Sequence, residues 1–290
     1  MNVSLSYSKL AACLALALVG GLAHAESTGA GAVTSVSYTL IDLNPNDGVT
    51  PSISFAAPSG DYVGPYLNGY VRASTPNEDI YREYTHQGLA QTDTVTGGSS
   101  TAWSTASSSA TGAAGVGFST LAVSGSALSG VDISGVYHAT ADAPAAFFTL
   151  SANTEVVFTV TGWLTGKTTL GGNPDTGFVE NGGAVLQLET SGPSADGSST
   201  VYDRQQGAAV AWYTVAADGS VSGESQSWQG QLVSGYSNTT AGDVDGRFAA
   251  LLSASGTSVV AAAAVPEPST YALLLAGLAA VGGIARRRRA

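Results

Sequence analysis

The sequence is short of four things, and each shortage excludes a class of protein. There is one cysteine in 290 residues, Cys13, and it falls in an apolar N-terminal run. The rest of the chain therefore has no disulfide, no thiolate metal site and no cysteine nucleophile. Charged residues make up 11%, where roughly a quarter is ordinary, which argues against a charged helical bundle or coiled coil. Histidine is also scarce: beyond His24 there are only His86 and His138. Neither sits in a His-Glu-x-x-His pattern, and no Gly-x-Ser-x-Gly elbow occurs. Both histidines read as strand or loop residues, so the expectation is no catalytic residue, no metal and no cofactor. Finally, apolar spacing of three and four residues is missing between the two ends of the chain, which removes amphipathic helices.

What is present is glycine, 37 residues, and a 44% hydrophobic share sufficient to build a core. Ser35-Val36-Ser37-Tyr38-Thr39-Leu40 and Ser52-Ile53-Ser54-Phe55 alternate polar with apolar side chains, the period of a half-buried strand. Further strands are expected over Gly115 to Val123, Val131 to Tyr137, Ala146 to Leu150, Glu155 to Leu164, Ala184 to Thr190, Ala208 to Val215, Ser225 to Val233, Phe248 to Ala254 and Val259 to Ala263. Turn residues separate them, as in Asn44-Pro45-Asn46-Asp47-Gly48 and Asp218-Gly219. About ten short strands joined by turns make an all-β fold, an antiparallel, jelly-roll-like β-sandwich. One body over 26–264 is favoured. Thr92 to Gly115, nearly all Ser, Thr, Gly and Ala around Trp103, reads as a loose segment: a linker, a surface loop or small-residue strands.

The body holds 5 basic and 20 acidic residues, a net charge of -15. Such a surface repels nucleic acid and other polyanions, so no nucleic-acid partner is expected. Glu78, Asp79, Glu83, Glu155, Glu180 and Glu189 could supply a carboxylate pair for glycoside hydrolysis, although solvation accounts for them all, and a secreted hydrolase is the weakest reading. Asp243-Val244-Asp245-Gly246 begins like a calcium loop, but Arg247 stands where a third ligand is needed. Trp163 and Trp212, at alternating positions, are expected in the core. Tyr62, Tyr66, Tyr70, Tyr81 and Tyr84 crowd a stretch with Gly64, Pro65, Asn68 and Gly69, which reads as a loop-rich ligand platform.

The two ends carry addresses. Lys9, an apolar run from Leu10 to Leu22 and then Ala23-His24-Ala25 have the order of a secretory signal, residues 1–25, cut after Ala25. At the other end Pro266, Glu267 and Pro268 precede an apolar stretch over 271–285 and the cluster Arg286, Arg287, Arg288 and Arg289. As a helix that stretch is about 22 Å long against a hydrocarbon core of roughly 30 Å, a minimal span completed by its flanks. The arginines hold the tail's end in the cytoplasm, leaving the body outside. The two prolines keep Glu267 in an extended segment that can enter a protease groove.

Residues 265–290, in that order of triplet, apolar helix and arginine cluster, resemble the PEP-CTERM sorting signal. That resemblance implies an exported protein of an exopolysaccharide-producing Gram-negative bacterium. It implies transient anchoring in the inner membrane, recognition of Pro266, Glu267 and Pro268 by an exosortase-type protease, and release to the cell surface or extracellular matrix. The expected role is structural or adhesive and non-enzymatic. The alternative is a carbohydrate-binding module that retains exopolysaccharide through its tyrosines.

Overall fold

The computed structural model describes residues 25–56, 63–130, 133–170, 172–173 and 178–258. Of the leader only Ala25 is described; residues 1–24 with Ala23, Tyr62, the strand expected at Val259 to Ala263, and the whole tail lie outside these residues. Among the described residues all regular structure is β. In chain order the strands are β1 (Glu26–Asp42), β2 (Ile53–Phe55), β3 (Tyr66–Ser74), β4 (Asp79–Gln87), β5 (Thr94–Ser100), β6 (Ser104–Ala113), β7 (Gly117–Leu128), β8 (Ser134–Asp142) and β9 (Ala146–Leu150). The second half gives β10 (Thr154–Thr168), β11 (Gly172–Asn173), β12 (Phe178–Val179), β13 (Asn181–Pro193), β14 (Thr200–Ala211), β15 (Thr214–Val215), β16 (Val221–Ser222), β17 (Ser225–Asn238) and β18 (Val244–Ser258).

Two curled antiparallel sheets face each other, as in a β-sandwich. One has six strands in the order β17-β10-β1-β7-β6-β5. The other has eight, with β14-β13-β18-β8-β3-β4 as its main path, β9 paired to β18 and β2 paired to β9. Alternation decides which side chains enter the core. Val156, Phe158, Val160 and Leu164 of β10 and Phe248, Ala250, Leu252 and Ala254 of β18 all point inward and are at most 2% exposed. The ring of Phe158 stacks on Phe248 at 4.1 Å, and Phe118 and Phe148 extend the cluster. Each such ring contributes about 1.5–3 kcal/mol on burial.

The Ser/Thr/Gly/Ala segment is two of these strands, β5 and β6. Ala106 and Ala110 enter the core, while Thr105 and Ser107 point outward and meet the hydroxyls of Ser126 and Ser124 at 2.8 and 2.7 Å. Elsewhere the sheets approach closely because the facing residues lack side chains. A Cβ on Gly29 would lie 2.2 Å from the carbonyl oxygen of Gly183 in the opposite sheet, and one on Gly125 would lie 2.0 Å from the ring of Tyr137. Fully buried Tyr137 fills the space that these glycines leave.

The eight-stranded sheet forks. β8 ends at Asp142, which pairs with Leu251. The chain then steps off through Ala143, Pro144 and Ala145, and β9 resumes pairing with β18 at Ala146 opposite Phe248. Strand β18 also carries the outgoing end of the body. The hydroxyl of Ser258 donates to the carbonyl of Ala25 at 2.8 Å, so the described chain starts and finishes at the same end of the sandwich.

Candidate functional site

The fork leaves a recess on the outer face of the eight-stranded sheet. Its position follows from parity. Leu186 and Leu188 of β13 are buried, so Gln187 and Glu189 point outward; Leu252 and Ala250 are buried, so Leu251 and Ala249 point outward. The register then aligns outward residues across strands. Gln206 pairs with Gln187, Gln187 with Leu251, Leu251 with Asp142, Asp142 with Tyr66 and Tyr66 with Gln87. Five inter-strand steps of about 4.8 Å make this a row of about 24 Å running perpendicular to the strands.

Where β8 has turned away, a groove of about 550 Å³ opens above Ala249 and Leu251, bordered by Asp142, Gln187, Glu189, Arg204, Gln206 and Arg247. A second groove of about 750 Å³ adjoins it, sharing Asp142 and Arg247 and bordered further by Tyr66, Thr85, Gln87, Pro144 and Phe147. Both volumes lie in the range of small-molecule sites. Glu189 holds the two guanidinium groups: the Arg204 Nε–H donates at 2.7 Å and the Arg247 Nη1–H at 2.8 Å. Arg204 also lies over the exposed ring of Tyr202 at 4.9 Å. The Asp142 carboxyl keeps a solvent side, yet the groove walls desolvate it and push its pKa up to about 6, partly countered by the Arg247 charge. Glu189 and Asp142 thus differ in character, one bridged by two arginines and the other crowded without an ion pair.

The four described tyrosines of the expected platform divide between the two faces of the sheet. Tyr66, Tyr70, Tyr81 and Tyr84 stand on the paired strands β3 and β4 rather than in loops. Tyr66, Tyr70 and Tyr81 face outward; Tyr81 is 56% exposed and stacks on Tyr70 at 5.5 Å, and Tyr70 packs against His138 at 5.4 Å. Burial lowers the pKa of that imidazole. Tyr84 does not belong to a platform: it pairs with Gly69, points into the sandwich, and its hydroxyl meets Ser108 at 2.9 Å. Its parity with Leu67 and Val71 of the facing strand puts it there.

The tryptophan expectation is also corrected. Trp163 is 38% and Trp212 50% exposed. Trp163 has the opposite parity to buried Phe158, Val160 and Leu164 of its own strand, so it points to solvent. Trp228, by contrast, packs against the core. Among the carboxylates, Glu180 is fully buried and accepts the Leu170 N–H at 3.0 Å, while Asp79 makes a forked ion pair with Arg72. Asp245 lies in β18 and accepts the Thr149 hydroxyl at 2.7 Å, so this stretch is strand rather than ion-binding loop. Among the described residues there is no cluster of three or more His, Cys, Asp or Glu arranged to hold a metal.

Sequence reasoning missed Asp142, Gln187, Gln206, Arg204 and Arg247 as a group. A lone glutamine between two buried leucines was visible as an outward polar position, but nothing in the sequence brings β14, β13, β18 and β8 side by side.

Comparison with known proteins places one feature firmly. Residues 264–289 match the PEP-CTERM protein-sorting motif, and the body has no family assignment. No curated protein matches the chain. A solved structure described as "Structural basis for the promiscuous specificity of the carbohydrate-binding modules from the beta-sandwich super family" aligns at 10% identity over 70% of this chain and 97% of that one, with a TM-score of 0.09, too low to carry any argument.

Proposed function

We propose that this chain, whose tail carries the PEP-CTERM sorting motif, is a non-enzymatic structural or adhesive component of the cell envelope or extracellular polysaccharide matrix. The observation that carries the reading is the motif itself, which implies an exported protein anchored transiently in the membrane and sorted by an exosortase. The body suits the role in two ways. Long strands paired on both sides give a stiff module, and the outer faces of two large sheets offer contact area. Its -15 charge keeps such modules apart in solution and leaves attachment to specific groups rather than to general electrostatics.

The test is to recover the protein from inner-membrane, envelope and medium fractions and read both of its ends by mass spectrometry. The expected mature form starts at Glu26 and lacks Arg286 to Arg289. Replacing Pro266, Glu267 and Pro268 by alanine should leave the full-length chain in the inner membrane. Normal tail removal in that variant, or a matrix form that keeps all four arginines, would overturn the reading.

A further inference from the structure

The fork in the eight-stranded sheet does something that the sorting signal does not explain. It opens a trough in which both arginines are paired with Glu189 and the Gln187 and Gln206 side chains face outward. We propose that the row from Gln206 and Gln187 across Leu251 to Asp142 and Tyr66 is a binding site for an extended, uncharged polysaccharide lying across the strands. The inference rests on the reading of the chain as a matrix component and names what that component would hold.

Three observations support it. The first is charge. The groove contains two of the body's five cationic side chains, and Glu189 pairs with both at 2.7 and 2.8 Å. With Asp142 beside them, the local charge is close to balanced within a strongly acidic surface. A polyanion meets no unpaired cation there and is repelled by the remainder. A cationic chain would be drawn to the whole body rather than to this trough.

The second is hydrogen-bonding capacity. Gln187 and Gln206 point outward from adjacent strands, and among the described residues no hydrogen bond occupies either side-chain amide. Each amide both donates and accepts, which complements a hydroxyl. Asp142 adds an acceptor that becomes a donor when protonated, so the trough presents both kinds of group along one line.

The third is shape. Leu251 and Ala249 give an apolar floor, Tyr66 and Phe147 flank the adjoining recess, and the whole is open along its length. Sugar rings have apolar C–H faces and polar edges; an aliphatic floor with amide and carboxyl edges fits that division. The row's four inter-strand steps, about 19 Å, suit several linked residues rather than one.

The experiment uses mature protein purified from the cells that export it. Isothermal titration is run with cellohexaose, laminarihexaose and mannohexaose as neutral probes and with polygalacturonate as the anionic one. Binding of at least one neutral hexasaccharide is expected. It should weaken tenfold or more in the double variant Gln187→Ala, Gln206→Ala, and stay unchanged in Trp163→Ala on the opposite sheet. Ala249→Trp, which fills the trough without removing a polar group, should abolish binding and covers the case in which the double variant does not fold. Absence of neutral binding, insensitivity to both groove changes, or preference for polygalacturonate would overturn the proposal. Release of shorter sugars would also overturn it, since the site would then be catalytic. Matrix-located, tail-cleaved protein that binds no neutral probe removes this inference alone; protein retained in the inner membrane with its arginines removes the functional reading beneath it.

Discussion

Replacing Gly29 by alanine tests the close approach of the two sheets. An added Cβ would stand 2.2 Å from the Gly183 carbonyl oxygen, 2.7 Å from the Gly183 carbonyl carbon and 2.7 Å from the Tyr137 hydroxyl. Comfortable separation for such atoms is about 3.5 Å, so the sheets must part locally by more than about 1 Å. Two of the three atoms are backbone, and Gly29 itself is held between β10 and β7 through Gly166 and Gly125. Neither side can yield by a rotamer change. Overpacking of this kind costs about 1–3 kcal/mol, and backbone obstruction places Gly29→Ala at the upper end. For a body of this size, about 2–4 °C is lost per kcal/mol, which gives a fall of roughly 6–12 °C. The assay is thermal unfolding followed by near-ultraviolet circular dichroism, with Gly242→Ala as the control. A Cβ at Gly242 meets nothing within 4 Å, and that change should be neutral or stabilising by up to about 1 kcal/mol. Adding Tyr137→Phe to Gly29→Ala should rescue little, because the Gly183 backbone remains in the way. A Gly29→Ala protein that melts within 1–2 °C of the control would refute the reasoning about close packing.

Phe158→Ala removes a fully buried ring from the centre of the aromatic stack and should cost about 3–5 kcal/mol in urea unfolding; a loss below about 1 kcal/mol would mean that the core is not packed as described. Asp142 should titrate near pH 6 by carbon-detected NMR. Because its folded pKa is raised, the folded state binds a proton that the unfolded state releases. The contribution to stability is therefore complete below about pH 4 and is lost as pH rises through about 6. A fully enclosed group shifted by two units would carry about 3 kcal/mol; solvent access at Asp142 reduces that to a fraction, and Asp142→Asn should remove the slope. A titration midpoint near 4 would show that the groove walls do not desolvate the carboxyl.

The all-β character was readable in the sequence because the core strands alternate strongly. Ala146 to Leu150 is β9 to the residue, and the expected segments at 155–164, 184–190 and 248–254 each lie inside a longer strand. Their ends were missed because glycine and small polar residues continue the pairing without hydrophobic contrast: β1 begins at Glu26 through Ser27, Thr28, Gly29 and Ala30, long before the alternation of Val36, Tyr38 and Leu40. The same absence of contrast hid β5 and β6. Strands β3 and β4 were hidden for a different reason. Gly64, Pro65, Asn68 and Gly69 suggest turns, yet Gly69 sits mid-strand, where its missing side chain makes room for the Tyr84 ring. The groove was less legible still. Its residues come from β14, β13, β18 and β8, separated by up to about 110 positions, and only the long-range register and the departure of β8 at Asp142 assemble them.

The placement of β18 has a mechanical consequence. This strand lines the groove at Arg247 and Leu251 and is the last described strand before the sorting tail, so a polymer held in the proposed site and an anchored tail would load the body through β18. Between those points β18 is laddered on one side to β13 and on the other to β8. Tension along the axis loads these rungs together, in shear, instead of opening them one after another as peeling an outer strand would. On the proposed role, that arrangement would keep the body folded under drag for as long as the tail anchors it.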